Sequence, residues 1–220
     1  EIMPSLVGSE MCIRDSVYGA RDRMDERYDI IRMVRDSRFR YIRNYEPLKP
    51  YYQYMNTPEK GATMKEIRRL EKTGGLSGAA RFFSAGRKPV EELYDLKNDP
   101  HEVNNLAANP EHSDRLKTMR EAHYRWVRET RDIGLLPEPE IIAREKVHGA
   151  RYDILRQDGS TAVMTRLGET AALASSGPTA LPRLLTAMDD SDAAVRYWGA
   201  TGVGNIAPER NPKAMAAMHK

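Results

Sequence analysis

The sequence predicts an α+β chain: a small antiparallel sheet with a packed helix, followed by an all-α segment of repeated helices. Three observations carry this. Two β-prone runs, Asp29 to Arg35 and Arg38 to Tyr45, adjoin across Asp36-Ser37, and a third covers Val90 to Leu96. Leu116, Met119, His123, Trp126, Val127 and Thr130 then recur every three or four residues, which makes one buried helical stripe. After Pro139 the composition shifts to Ala, Leu, Gly and Thr, and helix-length segments alternate with turns.

The totals narrow the classes. A chain of 220 residues holds one or two domains. Its net charge of +3 and pI near 8.9 are too mild to imply nucleic acid. Cys12, the single cysteine, excludes an internal disulfide framework and a Cys-based zinc site. No apolar run approaches the roughly 18–20 residues of a membrane span. The first residues lack the basic start and apolar core of a signal peptide.

Taken in order, residues 1–16 (EIMPSLVGSEMCIRDS) show neither a helical nor a strand period. They resemble translated sequencing-adapter read-through and are read as foreign to the fold. In the two runs that follow, Ile30, Ile31, Met33 and Val34 face Phe39, Tyr41, Ile42 and Tyr45 as a hairpin. The turn between them has no glycine. The loop Tyr45 to Tyr54 carries Pro47 and Pro50, which bar it from a central strand or helix. Met64, Ile67, Leu70 and Glu71 predict a short amphipathic helix to about Lys72, stopped by Gly74-Gly75. Leu76 to Gly86 reads as an irregular crossover anchored by Phe82 and Phe83. After the Val90–Leu96 strand, Asp99 caps a helix entered at Pro100, with Glu102 at capping-box spacing. Asn109-Pro110-Glu111 starts the striped helix.

Arginine is dense between Arg21 and Arg43, and guanidinium forks suit sulfate and carboxylate geometry. Two uses stand side by side for Arg21, Asp22 and Arg23: the border of an anion-binding pocket, or pairing with Asp25, Glu26, Asp29 and Asp36. Phe39, Tyr41 and Tyr45 alternate as a base-stacking platform would. The interleaved acids repel phosphate, so neither nucleic acid nor membrane is an expected partner. His101-Glu102-Val103-Asn104-Asn105 fails as a zincin motif because Asn105 stands where a second histidine must be. His112 and His123 read as surface or boundary residues, and no residue is assigned to a metal.

The stretch KPVEELYDLKNDPHEVNNLA, residues 88–107, resembles the C-terminal signature of the type I sulfatases, in the branch of the heparan N-sulfatase-like enzymes. VYGARDRMDERYD, residues 17–29, and LLPEPE, residues 135–140, resemble the start and end of the same subdomain. The resemblance implies a domain at 17–140 (the sulfatase C-terminal subdomain, its helix laid across its sheet), and the residues after Pro139 read as a linker helix at 141–160 and truncated repeats at 161–220. It implies a parent that hydrolyses sulfate esters or sulfamates on sulfated glycans and is exported, with a catalytic domain upstream as the partner of this chain. Family chemistry uses a formylglycine made from C/S-x-P-x-R, a calcium ion, and assisting Lys and His groups. None of these maps here, since Cys12-Ile13-Arg14 lacks the proline and the arginine spacing. The chain itself is therefore expected to hold no cofactor and no catalytic residue and to be inactive. A substrate rim of Arg21, Asp22, Arg23, Tyr51, Tyr52 and Tyr54 is what the resemblance adds, against a loop that merely wraps the core.

Residues 190–204, with the pattern D-x-D-x-x-V-R-x-x-x-A-x-x-x-G, resemble a HEAT repeat of the phycobilisome-lyase type. Asp192 caps the helix, Val195 and Trp198 face inward, and Gly199 and Gly202 permit close helix approach. Arg196 is expected to tie one repeat to the next. Thr161 to Ala174 and Pro212 to Lys220 read as helices of the flanking repeats. Because such units bury a core only by stacking, a chain ending mid-repeat reads as a fragment. The alternative function is a HEAT-based module that binds a protein partner through Tyr197, Trp198 and the solenoid face.

Overall fold

The computed structural model describes residues 16–206. The expectations for Cys12 and its neighbours, and for a helix over Pro212–Lys220, fall outside the described residues. Two compact units divide between Trp126 and Val127.

The first unit is built on a four-stranded sheet in the order β1-β2-β3-β4, antiparallel throughout. The strands are β1 (Val17–Met24), β2 (Arg27–Arg35), β3 (Phe39–Asn44) and β4 (Glu91–Asp95). The β2–β3 hairpin closes without glycine because the Asp36 carboxylate takes over the turn. Its Oδ1 accepts the amides of Arg38 at 2.7 Å and Phe39 at 2.6 Å.

Between β3 and β4 run α1 (Asn56–Glu59), α2 (Ala62–Lys72) and the single turn α3 (Ala80–Phe83). Gly74, at φ +68, ends α2 as expected. Phe83 anchors the crossover by stacking on Tyr52 at 4.8 Å, whereas Phe82 is 54% exposed and anchors nothing. A 3-10 turn (Pro110–His112), capped by Asn109, leads into α4 (Ser113–Glu129). Val34, Phe39, Tyr41 and Leu93 on one sheet face meet Leu116 and Met119 of α4, with Tyr18 and Leu106 packed beside them. Full burial of side chains of this size stabilises by about 1.5–3 kcal/mol each.

No helix begins at Pro100. Asp99 does accept two amides, from Val103 at 3.1 Å and Asn104 at 2.8 Å, but the chain between them is a loop with Glu102 at φ +55. Asn105 then behaves as a partial strand. Its Oδ1 accepts the Leu93 and Ala107 amides, both at 3.0 Å, and its Nδ2 donates to the Glu91 carbonyl at 3.2 Å. These local side-chain bonds outcompete the helix ladder, which is why the capping pattern misleads.

The second unit is helical: α5 (Glu138–His148), α6 (Ser160–Leu173), α7 (Leu181–Ala187) and α8 (Ala193–Ile206). Trp198 is fully buried in α8, and its indole N–H donates to the Leu135 carbonyl at 2.7 Å. Asp192 caps α8 by accepting the Ala194 amide at 2.9 Å. Arg196 does not link helical pairs. It folds back on the carbonyls of Asp190 and Ser191, at 2.7 and 2.9 Å, which lie in the turn that leads into α8. Arg144 and Arg166 make the longer ties, to Asp192 at 2.8 Å and Asp190 at 2.9 Å.

Gly199 lets α8 touch backbone. A Cβ there would lie 2.9 Å from the Met188 nitrogen and 3.0 Å from the Leu184 carbonyl oxygen, whereas one at Gly204 would meet nothing within 4 Å. Gly199→Ala should therefore destabilise the protein by about 1–3 kcal/mol, since overpacking outweighs the gain in helix propensity. Gly204→Ala should stabilise it by about 0.5–1 kcal/mol. Equilibrium urea denaturation of the two variants measures both signs.

Candidate functional site

Strand alternation gives the sheet a second face, turned away from the Tyr41–Leu93 layer. Ile42 of β3 and Glu92 and Tyr94 of β4 lie on it. The crossover and the 101–105 loop rise around them and leave a cleft of about 940 Å³, whose lining includes Tyr51, Phe82, Arg87, Lys88, His101 and Asn104.

Glu92 forms the floor and is only 3% exposed. Its carboxylate accepts from Asn44 Nδ2 and from the Tyr94 hydroxyl. Burial pushes the Tyr51 phenol up from its ordinary range, and the charge of Glu92, to which it is hydrogen bonded, adds to that. Tyr94 is raised for the same two reasons. Three donors thus hold one acid, and two aromatic rings are fixed at the cleft wall.

Lys88 closes one side, buried with its Nζ on Asp29 Oδ2. Burial lowers its pKa, against the opposing pull of Asp29. Glu102 is engaged by Arg40. Arg87, exposed at the rim, makes no hydrogen bond or ion pair with the described residues.

The structure distributes the sequence-predicted rim residues over several places. Tyr51 borders the cleft. Asp22 grips the buried guanidinium of Arg32 through both oxygens, at 2.7 and 3.2 Å, and so fastens β1 to β2. The Arg23 guanidinium lies 5.0 Å from the Tyr28 ring centroid. Arg21 lies near enough for its charge to lower the pKa of Lys88 further. Tyr52 is buried against Phe83 with Arg27 over its ring, and Tyr54 is 62% exposed. Sequence reasoning missed Arg87, Glu92 and Asn104 as site residues. The only hint was a basic pair, Arg87-Lys88, placed just before β4.

His123 is a second correction, since it is fully buried rather than at a boundary. Its Nε2 is hydrogen bonded to the Tyr45 hydroxyl at 3.0 Å, which gives the polar tip of a core-facing ring a partner.

No protein-family model matches the chain. Two curated proteins do, both ulvan-active sulfatases of Formosa agariphila. One is 43% identical over 129 residues, which is 59% of this chain and 22% of that protein. The other is 30% identical over 139 residues, 60% of this chain and 24% of that protein. Over about three fifths of its length the chain is related to sulfatases. It spans less than a quarter of these relatives.

A sulfatase-type calcium centre does not fit the carboxylates of the first unit. Asp22 is held by Arg32, Asp29 by Lys88, Glu91 by Arg120 at 2.6 Å and Asp95 by Arg38 at 2.7 Å. Among the described residues no three His, Cys, Asp or Glu side chains converge as ligands. A hard cation needs several unengaged oxygens, and those of these four carboxylates are committed to guanidinium and ammonium groups. For Glu91, burial works to raise the pKa, but hydrogen bonds from Arg120 and Tyr41 outweigh it and the net shift is downward.

Arg38 holds Asp95 well below the usual carboxylate range. The folded state therefore binds fewer protons here than the unfolded chain. The stabilisation is complete above the unfolded aspartate range, near pH 4, and fades as pH falls from there towards the folded value. Arg38→Ala should lower stability at pH 7, and its stability curve should converge on that of the parent sequence as pH falls towards about 2. Urea denaturation across that range checks it.

Proposed function

We propose that this chain is the C-terminal, non-catalytic part of a sulfatase that hydrolyses sulfate esters or sulfamates on sulfated glycans. The observation that carries the reading is the 43% identity to an ulvan-active sulfatase over 129 residues. The charge economy of the first unit supports it, because Asp22, Asp29, Glu91 and Asp95 are each engaged by a guanidinium or ammonium group. Here the chain supplies scaffold and part of the substrate rim, with Arg21, Asp22, Arg23 and the tyrosine loop on that side. A catalytic domain carrying the formylglycine and calcium would be its partner, and the helices of the second unit would be HEAT-like repeats.

The test incubates the purified chain with ulvan oligosaccharides and follows both inorganic sulfate by ion chromatography and binding by titration calorimetry. Sulfate should stay at the level of the protein-free control, and the sulfated material should bind more tightly than the same material after chemical desulfation. Sulfate released in proportion to protein concentration, or equal binding of both forms, would contradict the reading.

A further inference from the structure

We propose that the cleft behind the sheet is a binding site for an anionic saccharide, with Arg87 as the group that holds the anion. The inference rests on the sulfated-glycan reading above and assigns it a place. Three features of the cleft argue for this ligand. The first is its aromatic wall. The half-buried ring of Tyr51 is hydrogen bonded to the carboxylate of Glu92, Tyr94, only 7% exposed and bonded to the same acid, backs it, and Phe82 stands exposed at the crossover. Rigid ring faces pack on the apolar C–H face of a pyranose at small entropic cost.

The second is the state of the charges. Lys88 is spent on Asp29 and Glu102 on Arg40, so neither offers itself to a ligand. Arg87 has no such partner among the described residues, and its planar fork can donate two parallel N–H groups to a sulfate or a carboxylate. The third is the amide of Asn104, exposed at the mouth, which can donate to or accept from hydroxyl groups. Apolar walls with a few convergent polar groups are how small-ligand sites are usually made. The half-buried Arg21–Arg23 stretch is also cationic, but Asp22 lies between its arginines and none of the three lines the cleft.

The anion could be a sulfate ester or a uronic acid carboxylate, and the test separates them. The full chain, labelled with nitrogen-15, is titrated with a sulfated uronate-containing oligosaccharide, the same oligosaccharide after desulfation, a neutral oligosaccharide of equal length, and inorganic sulfate. Amide shifts should concentrate on Arg87, His101–Asn105 and Tyr51. Arg87→Ala should weaken binding at least tenfold, Arg87→Lys less, and Lys65→Ala, exposed on α2 and outside the cleft lining, not at all. Asn104→Trp, which fills the mouth, should abolish the same shifts, and unchanged spectra elsewhere show that it folds. Tenfold loss on desulfation assigns the anion to sulfate, and retention assigns it to the carboxylate. Equal binding of the neutral oligosaccharide, or binding unchanged in Arg87→Ala, overturns the proposal. If shifts gather instead on Arg21 and Arg23, the cleft assignment fails while the glycan reading stands. If no oligosaccharide binds, both fail.

Discussion

The ion pair between Asp29 and Lys88 is the constraint on which the first unit depends. Both side chains are fully shielded from solvent, and they join β2 to the residue that brings the chain back after the long crossover. Around the pair the backbone is stitched in the same place. Lys88 donates its amide to the Pro47 carbonyl at 2.8 Å, Asn44 to Val90 at 3.0 Å and Tyr45 to Ile30 at 3.0 Å. Asn44 adds a side-chain bond to the Pro89 carbonyl at 2.7 Å. Two charges withdrawn from water are costly, and their attraction offsets that cost only while both are present. The pair therefore specifies one return path. That path sets Arg87 at the rim and Glu92 on the floor, and so it fixes the shape of the cleft.

Much of this fold could be read from residue pattern. The β2–β3 hairpin, β4 and the stripe of α4 follow from apolar spacing, which burial dictates locally, and the helices after Pro139 from the change in composition and the turns between them. β1 could not be read so. Val17–Met24 is an edge strand with charged and small residues and no buried member, so it has no alternation to display. It is held by pairing to β2 and by the Asp22–Arg32 bridge, neither of which shows as an apolar pattern. The false helix at Pro100 failed for the opposite reason. Its capping residues are real hydrogen-bond acceptors, but Asn105 and Glu102 had better partners in β4 and Arg40. The cleft was hidden because its members come from β3, β4, the crossover and the following loop. Of the residues the sequence marks for the rim, Tyr51 alone lines the cleft.

The second unit solves a different problem. Its helices contain Ala, Gly and Thr, which bury little area per residue, so they gain contact by approaching closely. Gly199 and Gly202 remove the side chains that would keep α8 from Leu184, Met188 and Ala174. Trp198 is the largest fully buried side chain among the described residues, and its N–H is satisfied by Leu135. Burial works to raise the Asp192 carboxyl, but Arg144 and the amides at the start of α8 hold it below its ordinary value. A cap and an ion pair thus share one acid, which is why Asp192 rather than Arg196 joins distant segments.

In both units the charges act first as fasteners, and a functional role falls to the few that are left over. That ordering makes the Asp29–Lys88 pair the point to test. Replacing Asp29 by Asn keeps the shape and removes the charge, leaving Lys88 buried without its hydrogen-bonded counter-ion and with only the weaker influence of Glu46. Equilibrium denaturation combined with amide hydrogen exchange reads the consequence. Stability should fall by about 3–5 kcal/mol, and the amides of Asn44, Tyr45 and Lys88 should lose more protection than those at the β2–β3 turn. A loss below about 1 kcal/mol, in the range of an exposed pair, with protection at those three amides unchanged, would contradict the account.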